Sequence, residues 1–97
     1  MHYVYVLQSQ KDDLLYIGYT DNVEARILRH QAGEVPATKF RRPLKLIFYE
    51  AYLVEKDALR RERYFKTTKG KATLKMMLKD YFASSRSKYD SSNDKDR

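Results

Sequence analysis

Tyr3-Val4-Tyr5-Val6-Leu7-Gln8-Ser9 and, after a short break, Leu14-Leu15-Tyr16-Ile17-Gly18-Tyr19 decide how this chain folds. β-Branched and aromatic residues dominate both runs, which reads as two strands. Gln10-Lys11-Asp12-Asp13 between them is polar and turn-like, so the strands are close enough to form a hairpin. Apolar residues fall at odd and even positions alike. A sheet patterned that way is covered on both faces, and helices are the expected cover.

Working outward, Asp21 reads as a helix N-cap with Glu24 completing a capping box. That helix should run to about Ala32 and stop at Gly33. A loop over 34–43 holds both prolines, and 45–53 reads as a third strand. A second helix should open at Val54 or Glu55 and reach about Thr67. Gly70 is expected to break it, leaving a third, basic helix over 72–82. The order is ββαβαα and the class α+β. Residues 1–82 form one domain in this reading. From Ala83 the chain is rich in Ser, Asp and Lys, and 83–97 is expected to be a disordered polar tail.

The chain has 97 residues and no cysteine, so disulfides and Cys-based zinc sites are excluded. No apolar run approaches the roughly 20 residues that span a bilayer. Met1-His2-Tyr3-Val4 lacks the basic flank and apolar stretch of a signal peptide. A cytoplasmic protein with no membrane partner is expected, with the nucleoid as one place of work. Lys and Arg number 20 against 13 Asp and Glu, a net charge of +7. That surplus suits either a merely soluble basic protein or a polyanion binder. Its distribution favours the second. Eight basic residues and one acid, Glu62, lie between Arg60 and Lys79, and four basic residues and no acid between Lys39 and Lys45. Phe40, Tyr64 and Phe65 are interleaved among them.

Three sets of polar residues sit in unusual places. On a helical wheel Glu62 falls at about 40°, inside the apolar stripe that Ala58, Leu59 and Phe65 define. A carboxylate there must be paired or hold a metal. Arg60, Arg61 and Arg63 point elsewhere, towards water or phosphate. Arg26 and His30, one turn apart, flank the apolar face set by Val23 and Ile27. They suit a phosphate fork and a proton carrier, or a solvated arginine and a hydrogen-bonded edge histidine. Tyr5 and Tyr16 lie mid-strand, as core residues with polar tips or as phenols aimed at a reacting group. Together these are the parts of metal-assisted phosphodiester hydrolysis.

Tyr3-Val4-Tyr5, followed eleven residues after Tyr5 by Tyr16-Ile17-Gly18, resembles the paired signature of the GIY-YIG nucleases. Arg26 comes ten residues after Tyr16 and His30 four later, similar to that family's second motif. Ala58-Leu59-Arg60-Arg61-Glu62-Arg63-Tyr64-Phe65-Lys66 resembles the motif whose glutamate binds metal. Tyr3 stands where the first motif has glycine. The resemblance covers roughly residues 3–80 and is nearest to small stand-alone bacterial members described as excinuclease-subunit-like. It implies a three-stranded antiparallel sheet flanked by helices, with the site on one sheet face. It further implies an endonuclease that hydrolyses DNA, more so than RNA, with one Mg²⁺ or Mn²⁺ on Glu62. Arg26 would hold the scissile phosphate, and Tyr5 would activate or position water. Tyr16 and His30 would assist. Gly18 would let the backbone lie close to the site. Lys39, Arg41, Arg42, Lys69, Lys71 and Lys75 would contact flanking phosphates. The alternative is a module of the same fold that binds nucleic acid without cutting it. No base-reading appendage is recognisable, so a protein partner is one source of specificity.

Overall fold

The computed structural model describes residues 1–86. Strand β1 (His2–Ser9) is the central strand, with β2 (Leu15–Thr20) on one side and β3 (Leu44–Tyr52) on the other, both antiparallel to it. Helix α1 (Val23–Gln31) follows β2. After β3 come α2 (Glu55–Phe65), α3 (Thr68–Met77) and α4 (Lys79–Arg86). The α+β class and the three-stranded antiparallel sheet are as expected. The third helix expected over 72–82 is divided at Leu78 between α3 and α4, and a short 3-10 turn, Lys39–Arg41, lies in the expected loop.

Alternation along β1 sends side chains to two cores. Val4 and Val6 join Ile17, Ala58, Phe65 and Leu74 under α2 and α3. Tyr5 and Leu7 join Leu44 on the other face, packed by Tyr16, Leu46 and Ile27 of α1. A register shift between Val6 and Leu7 leaves one extra residue on β3, so that Phe48 faces Val6 while Leu46 faces Leu7.

Four expectations change. The α1 cap is Asn22, whose Oδ1 accepts from the Ala25 amide at 3.0 Å. With the cap there, the third helical position is alanine, and no capping box with Asp21 and Glu24 forms. Gly33, at φ +79°, does end α1 as expected. Gly70 does not break a helix but lies inside α3, three residues after its cap Thr67. A Cβ at position 70 would stand 1.7 Å from the Tyr64 carbonyl oxygen. Glycine there permits the closest approach of α3 to α2, and the chain actually turns at Lys66 and Thr67. Arg61 does not face water or phosphate. It makes a two-pronged bond to Glu50, with both distances 3.0 Å, and its guanidinium lies 4.3 Å from the Phe65 ring centre. Finally, the boundary expected after residue 82 falls within α4, which is helical through Arg86. Tyr81 of α4 donates to Gln8 Oε1 and so ties this helix to the sheet. The remainder of the expected tail lies outside the described residues.

Candidate active site

Tyr5 occupies the middle of β1, opposite Gly18 of β2 and Tyr49 of β3. Its side chain is fully buried on the α1 face of the sheet, where its ring lies across β2. A Cβ on Gly18 would meet Tyr5 Cζ and Oη at 2.5 Å, so only glycine leaves room for the phenol.

Helix α1 brings Arg26 and His30 onto that hydroxyl. Arg26 Nε donates to Tyr5 Oη at 3.4 Å, and His30 Nε2 lies 2.8 Å from the same oxygen. His30 Nδ1 is 2.7 Å from Thr38 Oγ1 in the loop after the helix. Arginine only donates, so Oη accepts from Arg26, and the buried hydroxyl hydrogen needs an acceptor of its own. His30 Nε2 is the acceptor in reach. Nδ1 then carries the ring hydrogen and donates to Thr38. The chain of donors is therefore directional: Arg26 to Tyr5, Tyr5 to His30, His30 to Thr38.

Burial pushes the His30 ring down to about 4, and the charges of Arg26 and Arg29 push the same way. At neutral pH it is an uncharged acceptor, not the group titrating near neutrality that its type suggests. Burial likewise pushes the Tyr5 phenol up to about 12, partly opposed by the hydrogen bond from Arg26. The Arg26 guanidinium stays charged, held by its bond to Tyr5.

Tyr16 stands on the same sheet face. Its ring centre is 6.3 Å from that of Tyr5 and 5.1 Å, edge-on, from that of His30. Glu62 comes from α2, which packs on the opposite face, yet its negative charge is felt by the Tyr5 phenol. Its side chain is 17% exposed and pairs with Lys66 Nζ at 3.1 Å. The structure thus brings Tyr5, Tyr16, Arg26 and His30 into direct contact and places Glu62 within electrostatic range of them. Sequence reasoning missed Thr38 and Lys66. Nothing in the spacing of Thr38 marks it, whereas Lys66 stands four residues after Glu62, the spacing of a helical ion pair.

The GIY-YIG catalytic domain model matches residues 1–76. The chain belongs to the GIY-YIG family. Among curated relatives, a UPF0213 protein of Staphylococcus haemolyticus is 47% identical over 77 residues, covering 78% of this chain and 93% of that one. A UPF0213 protein of Staphylococcus epidermidis is 39% identical over the same shares. The solution NMR structure of a UPF0213 protein from Bacillus halodurans superposes with a TM-score of 0.51 at 33% identity, covering 78% of this chain and 83% of that chain. Membership of the GIY-YIG nuclease family implies a nucleic-acid substrate, and nucleases of this family generally use a divalent metal.

The GIY-YIG donor set here fits a hard, water-retaining ion. Among the described residues no three His, Cys, Asp or Glu side chains converge, and Glu62 is the carboxylate whose charge acts on Tyr5. Magnesium takes few protein carboxylates and keeps several waters, which a single glutamate satisfies. Of the basic residues named from sequence, Lys39, Lys69, Lys71 and Lys75 are exposed. Arg41 and Arg42 are bound to the protein itself. Arg41 reaches Asp12 at 3.7 Å and the Leu15 carbonyl at 3.5 Å. Arg42 donates to the Lys39 and Gln31 carbonyls. Among the described residues no helix is long and apolar enough to cross a membrane.

Proposed function

We propose that this chain is a divalent-metal-dependent endonuclease acting on DNA in the cytoplasm, and that Tyr5, Tyr16, Arg26, His30 and Glu62 form its active site. The observation that carries the reading is the Tyr5 hydroxyl, held between a cationic donor and a neutral acceptor within electrostatic range of Glu62.

Arg26 binds a non-bridging oxygen of the scissile phosphate and stabilises the charge that develops there. Its guanidinium has five N–H donors, so the bond to Tyr5 leaves others for phosphate. Tyr5 is neutral at working pH and does not begin as a phenolate. It takes a proton from the attacking water as it passes its own to His30 Nε2, and His30 hands that proton back through Tyr5 to solvent when the products leave. The water oxygen bonds to phosphorus, the bond from phosphorus to the 3′-oxygen breaks, and that oxygen is protonated from solvent. Tyr16 packs edge-on to His30 and keeps its ring in line. Glu62 would hold Mg²⁺ or Mn²⁺, whose positive charge lowers the pKa of water and offsets charge on the leaving oxygen. Lys39, Lys69, Lys71 and Lys75 contact flanking phosphates, with Arg41 and Arg42 in a lesser share. Phosphate contacts position without reading sequence, so a partner protein or the shape of the substrate selects the target.

A second reading is favoured by the Glu62–Lys66 ion pair. A carboxylate already neutralised by lysine suits a domain that binds nucleic acid without cutting it. One experiment separates the two. Supercoiled, branched and single-stranded DNA are incubated with wild type, Glu62→Ala and Arg26→Ala, with Mg²⁺, Mn²⁺ or EDTA. The nuclease reading expects metal-dependent cleavage by wild type and a loss of roughly a hundredfold or more in each variant. Cleavage that survives either substitution removes the mechanism. Metal-independent binding with no cleavage by any form establishes the binding module.

A further inference from the structure

Phe40 is an aromatic residue in an open position on a hydrogen-bonded turn. It is 77% exposed in the middle of the 3-10 turn Lys39–Arg41. Each carbonyl of that turn accepts a hydrogen bond from a side chain. Arg42 Nε donates to the Lys39 carbonyl at 2.9 Å, Lys11 Nζ to the Phe40 carbonyl at 3.3 Å, and Ser9 Oγ to the Arg41 carbonyl at 2.7 Å. The Arg41 amide closes the turn on the Thr38 carbonyl at 2.9 Å. A single exposed phenylalanine on a loose loop would need no explanation. Here each carbonyl of the turn is bonded while the ring is left uncovered, so the backbone that carries the ring is held in place.

Its surroundings are cationic. Phe40 lines a shallow depression with Lys11, Gln31, Lys39, Arg42 and Pro43, and no acidic residue lines it. Lys39 Nζ stands 5.4 Å from the ring centre. A flat apolar ring among three cations is complementary to a ligand that is both planar and anionic. A nucleobase on its phosphodiester strand has those two properties. The turn is also tied to the candidate active site. Thr38, which precedes it, accepts the bond from His30, and His30 in turn holds Tyr5.

We propose that Phe40 is a stacking platform for an unpaired base, with Lys11 and Lys39 taking the phosphates on either side. The inference rests on the nucleic-acid reading above and adds a substrate class. The preferred strand has at least one unstacked base near the cut, as in single-stranded, frayed or flapped DNA. A base inside an intact duplex has no free face to offer the ring.

The chain has no tryptophan, so Phe40→Trp places a unique fluorophore on the platform. Binding is measured in EDTA, without cleavage, to a short single strand, to the same strand with abasic sites throughout, and to a blunt duplex. The expected result is quenching of the introduced indole by the single strand and by neither other ligand. Phe40→Ala should weaken single-strand binding about tenfold, leave duplex binding unchanged, and be rescued by Phe40→Trp. Equal quenching by the abasic strand, or equal single-strand affinity of Phe40→Ala and wild type, overturns the platform. So does a blue-shifted gain in emission with anionic phospholipid vesicles and no response to oligonucleotides, which assigns the patch to a membrane surface. Cleavage by wild type with no indole response would end this inference and leave the nuclease reading. An indole response without cleavage would do the reverse.

Discussion

Lowering the pH from 8 to 5 should destabilise this domain by about 2 kcal/mol through one residue, His30. Its ring is fully buried between Tyr5 and Thr38, and burial pushes it down to about 4 from an ordinary 6.5. Between those values the unfolded chain binds a proton on His30 and the folded chain does not. The stability contributed by the neutral ring is therefore complete above pH 6.5. It falls as pH drops below 6.5 and is fully lost below 4. Linkage sets the total at about 3 kcal/mol, of which about 2 kcal/mol has gone by pH 5. Asp12, whose carboxyl is lowered from 3.8 mainly by the Leu14 amide, titrates beneath this window and does not contribute. With a urea dependence of roughly 1 kcal/mol per molar for so small a domain, the midpoint should fall by about 2 M. Urea titrations at pH 8, 7, 6 and 5 read the shift, and NMR of the imidazole reads the ring itself. His30→Gln should be less stable at pH 8 but nearly flat across the range. A wild-type midpoint that stays constant, or an equal drop in His30→Gln, would refute both the uncharged ring and the directional chain built on it.

Gly18→Ala should leave the sheet intact yet displace Tyr5, because the added carbon would lie 2.5 Å from a ring that is fully buried. DNA binding should persist while cleavage falls by roughly a hundredfold, and comparing affinity with turnover checks this. Gly70→Ala should lower stability by about 3 kcal/mol, since its Cβ would meet backbone and not a movable side chain, and thermal melting measures it. Arg61→Lys should reduce stability by about 1–2 kcal/mol, as it keeps charge but loses the fork to Glu50 and the stack on Phe65. A double-mutant cycle with Glu50→Gln should show coupling, and additive effects would show that the pair contributes nothing.

The strands and the two-sided cover were legible because they depend on patterns longer than any one residue. Apolar residues at both parities along residues 3–9 left only a sheet buried on both faces. Single-residue punctuation was less legible. Asp21 and Asn22 are both good caps, and the choice between them rests on Thr20, whose hydroxyl accepts from the Asn22 amide at 3.1 Å and fixes the entry to α1. Gly70 reads as a helix breaker by propensity, but tertiary contact with Tyr64 decided its place. Arg61 is one of three arginines around Glu62, and nothing local shows that Glu50, eleven residues back in β3, will claim it. For the site, the spacing of Tyr5, Tyr16, Arg26 and His30 was enough to bring four side chains to one face. The protonation of His30 was not legible, because it follows from burial by a loop whose Thr38 carries no motif.

The arrangement divides its tasks between the two faces of the sheet. Everything that holds Tyr5 lies on the α1 face and is buried or half-buried, so its geometry is fixed before any ligand arrives. The carboxylate comes from α2, on the other face, and meets solvent with a lysine beside it. The buried set is electrically simple: a neutral phenol, a neutral imidazole and one guanidinium. Its net charge is therefore positive, and an anionic phosphate is attracted to it without help from a metal. Glu62 cannot be moved into that buried set, because an unpaired carboxylate there would be too costly to desolvate. At the margin it has Lys66 Nζ as its counter-charge, 3.1 Å away. The placement of Glu62 on a separate helix thus keeps a buried hydrogen-bonded chain and a lysine-paired carboxylate within electrostatic range of the same phenol.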